Sequence, residues 1–307
     1  SHHKSTLLIG VDLSFYNAGS ATNYSNHAYK IGPVHYGTLE RGSKTASGAH
    51  ILHPANIGPF SMCMNKISTH PESTKLPFSY LFGDGKKTYL VPARNLCTLG
   101  TYRDVNKWPK RDKRESSYKR SLINFSWLSP YVVERIEDAI DTLQYLQREY
   151  GYDVAEYEYK GCIIKKSALQ KGLEIYRQAL LMFVHMNKEN VTTDTYEREY
   201  ISQWHDLGGM LLPKVELENI ISNLEYNDYK SIEALETSLK EAFNAYDSYL
   251  EQYTLYIIDR YFADCDTIDE DAEDAYNDWV EAIKADAAKE YAMGDVEKEA
   301  YESLSIK

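Results

Sequence analysis

The chain has 307 residues, with 34 Lys+Arg against 46 Asp+Glu, a formal net charge of −12 and a pI near 5.3. At roughly 100–200 residues per domain this length holds one large or two ordinary domains with real cores, and excludes a peptide or a disulfide-stapled miniprotein. The longest apolar run, Ala179 to Val184, is six residues, against the roughly 18 needed to cross a bilayer, so no membrane span is expected.

Four scattered cysteines, Cys63, Cys97, Cys162 and Cys265, form no CxxC pair. Neither a structural zinc site nor a disulfide framework is expected, and the cytoplasm is the compartment that fits. The opening Ser1-His2-His3-Lys4 has no basic or apolar leader, which predicts no signal peptide.

Residues 1–120 carry 17 Lys+Arg and 7 Asp+Glu, a net of +10, which leaves −22 for the remainder. The same stretch holds seven of the nine prolines and ten of the 16 glycines, a composition that favours short strands and turns over helices. Ile9-Gly10, Ile31-Gly32 and Ile57-Gly58 open three similar phrases, the pattern of a degenerate hexapeptide repeat. That pattern places Ile31 and Ile57 inside a coil and Ser61 at a corner, with His35 too bulky for a regular corner. An antiparallel β-domain is equally compatible with the residues taken alone. Gly83-Asp84-Gly85-Lys86-Lys87 lacks phosphate-loop spacing and predicts a hairpin turn. Cys63 and Cys97, in apolar surroundings, are expected to be buried and inert.

From Ser129-Pro130 onward the chain reads as helix. Val132, Ile136, Ala139, Ile140, Leu143 and Leu146 form one apolar stripe that Gly151 stops. Further helices are expected over 167–187, 195–207 (stopped by Gly208-Gly209), 216–224 and 231–262, with an acidic, helix-compatible tail. The acidic run 264–274 lacks EF-hand spacing and reads as a solvated helix start. The predicted domains are 1–128 and 129–307.

His2-His3-Lys4-Ser5-Thr6-Leu7-Leu8, Asn17-Ala18-Gly19-Ser20, Ser25-Asn26-His27, Gly32-Pro33, Leu76-Pro77-Phe78-Ser79-Tyr80-Leu81 and Trp108-Pro109-Lys110-Arg111-Asp112-Lys113-Arg114 occur in collinear order. Together they resemble the uncharacterised bacterial LpxA-like hexapeptide-repeat family called domain of unknown function 4954, over about residues 1–190. The helical remainder resembles the C-terminal companion region of such proteins. The resemblance implies a left-handed parallel β-helix, trimeric in many relatives, that forms the C-terminal part of a longer solenoid and is followed by a helical region. It also implies a superfamily whose characterised branches transfer acyl groups to sugars or amines, or serve as oligomerising modules.

Two constellations suit such chemistry. Acyl transfer needs a general base and an oxyanion donor; His27, in the polar run Asn23 to His27 with Asn23 and Asn26 to orient it, is the preferred base, ahead of His3 and His70. A structural role is the commoner fate of any one histidine. Lys107, Trp108, Lys110, Arg111 and Arg114 form a basic cluster around one aromatic, suited to the phosphates of an acyl-CoA or a nucleotide sugar. The same cluster would serve equally as an electrostatic clasp on the acidic second half. Nucleic acid fits an acidic chain poorly, and no metal-ligand spacing is present. The sequence therefore predicts a transferase-like protein acting on a sugar or nucleotide sugar, with a noncatalytic scaffold or oligomerising subunit as the alternative.

Overall fold

A computed structural model describes residues 9–13, 15–25, 35–116, 121–191 and 201–293. Two compact units divide the chain: residues 1–108, 135–178 and 276–307 form the first, and residues 109–134 and 179–275 the second.

In the first unit, the Gly- and Pro-punctuated half makes short strands: β1 (Ile9–Leu13), β2 (Asn23–Ser25), β3 (His35–Leu39), β4 (Lys44–Thr45), β5 (His50–Leu52), β6 (Asn56–Ile57), β7 (Met62–Ile67), β8 (Tyr80–Asp84) and β9 (Thr88–Val91). The chain continues through α1 (Leu99–Arg111) and α2 (Pro130–Tyr150) to β10 (Glu156–Tyr159) and β11 (Cys162–Lys165). β1, β3 and β6 pair in parallel. The remaining strands form an eight-stranded sheet in the order β10-β11-β9-β8-β7-β5-β2, with β4 also on β7. The core of the first unit includes Leu39 and Ile57 of the three-stranded group and Ile51, Cys63, Ile67, Leu81 and Leu90 of the eight-stranded sheet, all buried.

The expected left-handed parallel β-helix is not what these strands make, because the sheet is mixed. β7 runs parallel to β8, but β8 and β9 are antiparallel, and β10 is antiparallel to β11. The turns give the physical reason. Asp84 Oδ1 accepts the backbone N–H groups of Lys86 at 3.0 Å and Lys87 at 2.8 Å, closing a hairpin where a coil would have to run on. Lys160 and Gly161, at φ 41° and 77°, reverse the chain between β10 and β11. Ile57 and Ser61 are buried, and the Ser61 hydroxyl accepts the Ser79 N–H at 3.1 Å. Ile31 lies outside the described residues.

The helical expectation is corrected in the same way. α2 starts at Pro130 and ends before Gly151, and α3 (Lys166–Asn187) starts beside the expected 167, but between them stands the β10–β11 hairpin, in a region expected to be almost wholly helical. In the second unit, the segment expected to end a helix at Gly208-Gly209 is instead a hairpin, β12 (Trp204–Leu207) against β13 (Met210–Pro213). Both glycines have positive φ, 63° and 111°, so they form the two-residue turn and not a helix stop. α4 (Lys214–Glu225), α5 (Ile232–Asn244), α6 (Tyr246–Phe262) and α7 (Ile268–Ala292) complete seven α-helices among the described residues.

Two local features are testable. A Cβ at Gly83 would overlap the Lys66 carbonyl of β7, so Gly83→Ala is expected to destabilise by about 1–3 kcal/mol, seen as a lower urea midpoint at unchanged slope. The backbone N–H of Lys87, and then that of Lys86, holds the Asp84 carboxyl below its ordinary 3.8. An NMR titration should place its midpoint below that value. Because the folded-state pKa is lowered, the turn's extra stability is present above 3.8 and is lost as pH falls through the midpoint.

Candidate functional site

Asn26 and His27 lie outside the described residues. Asn23, the third member of that constellation, sits in β2 and is half-buried. Its strand pairing places it opposite His50 in β5, His50 opposite Lys66 in β7, and Lys66 opposite Asp84 in β8. Residues in register on neighbouring parallel strands stand about 4.8 Å apart and share one face, so these four form a polar ladder that runs towards solvent. One residue further along β2, Tyr24 stacks on the buried His53 ring, with centroids 5.4 Å apart. Burial, reinforced by the Tyr16 hydroxyl, pushes the Tyr24 phenol far above its ordinary range. The His53 imidazole fills space that any Cβ at Gly37 would occupy, which is why glycine stands there. His70 is exposed, with Nδ1 3.1 Å from the Pro54 carbonyl. Burial pushes up the Cys63 and Cys97 thiols and raises Cys162 to about 12, so all three stay protonated and inert at neutral pH.

A second polar group lies at the other end of the strands. Lys44, Met62 and Tyr80 share one register across β4, β7 and β8. Lys44 Nζ lies 3.4 Å from Asp104 Oδ2 of α1, both side chains being mostly buried. Burial lowers the Lys44 pKa, with Asp104 opposing, Arg103 lowering it further and Glu290 raising it. Burial also raises the Tyr80 phenol. Nearby, Asp286 Oδ2 of α7 accepts the Leu99 N–H at 3.0 Å, the first amide of α1, and Asp286 Oδ1 lies 3.6 Å from Arg94 Nη2. A carboxylate there satisfies an amide with no partner inside its own helix and meets the positive end of the helix dipole. Trp279 Nε1 donates to the Leu96 carbonyl at 3.0 Å. Sequence reasoning did not reach these contacts, because residues nearly two hundred positions apart share no local motif.

The basic cluster falls on α1 and just beyond it. Thr101, Val105 and Trp108 recur at four- and three-residue steps and face inward, while Arg103, Lys107, Lys110 and Arg111 form the opposite, exposed face. Trp108 is occupied: its ring lies 5.5 Å from Phe15 and 6.0 Å from Phe60, and Phe60 stacks on Phe78 at 5.0 Å. The buried Arg41 guanidinium closes this column over Phe15 at 5.2 Å. Arg114 is also occupied, holding Asp112 through Nε at 2.8 Å and Nη2 at 2.7 Å, with Nη1 donating to the Ser121 carbonyl at 2.8 Å. Lys107, Lys110 and Arg111 are exposed and make no ion pair with another described residue. Trp108 packs against Phe15 and Phe60, whereas His50 stands in register with Asn23 and Lys66.

Among the described residues no group of three or more His, Cys, Asp or Glu could hold a metal ion, and no described helix is long and apolar enough to cross a membrane. Removing Asp104 would leave the Lys44 ammonium buried without its counter-charge. Asp104→Ala is expected to cost about 3 kcal/mol, the lower end for buried pairs because both groups keep some solvent access. Lys44→Met combined with Asp104→Leu should recover most of that loss in urea denaturation.

No curated protein and no solved structure matches the chain. Family models match in two places, and nothing in either match, or in the mixed sheet, carries hexapeptide-repeat character. Residues 186–302 match Domain of unknown function (DUF6819), and residues 1–147, just under half of the chain, match Domain of unknown function (DUF4954).

Proposed function

We propose that the chain is a noncatalytic scaffold or assembly module that docks an acidic protein surface through the outer face of α1. The observation that carries this reading is the division of labour within the basic cluster. Trp108 is committed to the Phe15–Phe60 column and Arg114 to Asp112, while Lys107, Lys110 and Arg111 stand exposed on a convex helix face. A phosphate-bearing small molecule needs a concave site with convergent donors and a free aromatic face. A convex strip of cations suits an extended anionic surface, where long-range attraction accelerates encounter and fades with salt.

The transferase reading keeps one specific observation in its favour, the placement of Asn23 beside His50 on neighbouring strands. In that reading an imidazole, His50 or His27, removes the acceptor proton, and an amide orients the sugar.

The test compares three probes on the whole chain: oligoglutamate, a nucleotide sugar and an acyl-CoA. Oligoglutamate should bind the parent with affinity that falls as salt rises. Lys107→Glu/Lys110→Glu/Arg111→Glu should abolish that binding at unchanged melting temperature, because exposed substitutions away from special features shift stability by only about 0.5 kcal/mol. A rise in melting temperature with the nucleotide sugar or acyl-CoA, lost in His50→Ala, would overturn the scaffold reading in favour of the transferase.

A further inference from the structure

The hairpin of α4 and α5 in the second unit displays apolar surface that its own core does not use. On α4, Leu217, Ile220, Ile221 and Leu224 form one stripe at helical spacing. Ile220 is buried with Met210, Leu212 and Ala242, yet Ile221 is 43% and Leu224 48% exposed. The α5 stripe does the same from the other direction: Leu235, Leu239 and Phe243 pack on that core, while Ile232, one helical turn before Leu235, is 74% exposed. Tyr226, at the end of α4, is 79% exposed. Both stripes thus run past the core to the turn that joins the helices.

This end is a well-formed turn. Asn227 adopts the left-handed conformation at φ 57°. Its N–H donates to the Leu224 carbonyl at 3.1 Å, and the Asp228 N–H donates to the Asn223 carbonyl at 2.9 Å, which together make a Schellman cap. Ser231 caps α5, its hydroxyl accepting the Ala234 N–H at 3.3 Å. The four apolar side chains are therefore presented on fixed backbone.

Their surroundings select the partner. From Val215 to Glu233 the chain carries five carboxylates and one lysine, Lys230. Glu225, Asp228 and Glu233, at the turn itself, are exposed and form no ion pair with another described residue. A two-fold contact between copies of this face would set these carboxylates against their own images, at a cost from like-charge repulsion. A helix with an apolar face flanked by lysine or arginine would cover the apolar groups and neutralise the rim together.

The geometry points to the tip of the α4–α5 hairpin, formed by Ile221, Leu224, Tyr226 and Ile232 within an acidic rim, as the docking site for a basic amphipathic helix of a partner protein. This site shares no residue with α1, so it stands or falls apart from the function proposed above.

The test uses the whole chain and, as probe, a labelled amphipathic leucine–lysine helix, with a scrambled peptide of the same composition and oligolysine as controls. The amphipathic probe should bind the parent most tightly. Ile221→Ser/Leu224→Ser/Tyr226→Ser/Ile232→Ser should weaken it by about tenfold or more, as expected when apolar anchors are truncated, with an unchanged circular dichroism spectrum. Tyr226→Ser alone, a single exposed change, should weaken it measurably and provides the readout if the quadruple variant fails to fold. Glu225→Gln/Asp228→Asn/Glu233→Gln should weaken it at low salt and have little effect at high salt. Equal binding of the scrambled peptide or oligolysine would reduce the site to bare charge and overturn the proposal, as would equal binding to the parent and Tyr226→Ser. Sedimentation showing a parent dimer that Tyr226→Ser dissociates would assign the face to a second copy of the chain and overturn it as well.

Discussion

The first unit depends on how its last helix is fastened to its first hundred residues. Asp286 of α7 accepts the leading amide of α1, Trp279 donates to Leu96 one turn earlier, and Arg94 lies against the same carboxylate. These contacts fix the start of α1. Once the start is fixed, the 3.6-residue period decides the rest: Thr101, Val105 and Trp108 share one side of the helix, and Lys107, Lys110 and Arg111 the other. The exposed basic strip follows from a half-buried carboxylate in a distant part of the chain.

The column that receives Trp108 is costly to build. Phe15, Phe60 and Phe78 all have φ between 53° and 54°, the left-handed region that bulky side chains avoid. Each such residue costs about 1–3 kcal/mol unless its surroundings compensate. Stacking along the column, ending on Trp108 and on the Arg41 guanidinium over Phe15, supplies that compensation. Gly42, at φ 72°, leaves room for the Phe60 ring, which a Cβ at that position would strike. A tryptophan held this way is a packing element, and a ligand seeking its face would have to compete with Phe15 and Phe60.

What the sequence discloses follows the range of the interaction. Local signals read well: Ser129-Pro130 and Gly151 bound α2, and Gly83 to Lys87 is the turn predicted for it. The same kind of signal misleads when two structures use it, as when Gly208-Gly209 turns a hairpin instead of ending a helix. α1 was hidden by Pro109 inside it and by the low apolar content of Arg103 to Arg114. Of the Ile-Gly phrases, Ile9-Gly10 falls in β1 and Ile57 in β6, and both of these strands pair in parallel with β3. Whether parallel pairing continues into a solenoid depends on the turns beyond, and the Asp84 and Lys160-Gly161 reversals end it. Of the candidate site, Asn23 could be singled out from sequence, whereas nothing set His50 apart from the other histidines, because a strand register across 27 positions leaves no mark in local composition.

Charge makes the same distinction between composition and place. The basic first 120 residues and the acidic remainder suggest two oppositely charged bodies attracting each other. Yet Lys75–Asp138, Lys87–Glu156, Arg94–Asp286 and Arg135–Glu40 are all pairs inside the first unit; in the first three a cation of the first 120 residues meets a carboxylate from residues 135–178 or 276–293, and in the fourth the direction is reversed. The charge asymmetry is thus partly consumed in holding distant segments of one unit together. Among the described residues, Lys107, Lys110 and Arg111 on the outer face of α1, and Glu225, Asp228 and Glu233 at the α4–α5 turn, are exposed and form no ion pair with another described residue. Leaving like charges clustered costs self-repulsion, and a sequence that keeps such clusters exposed retains the means to attract two chemically different partners.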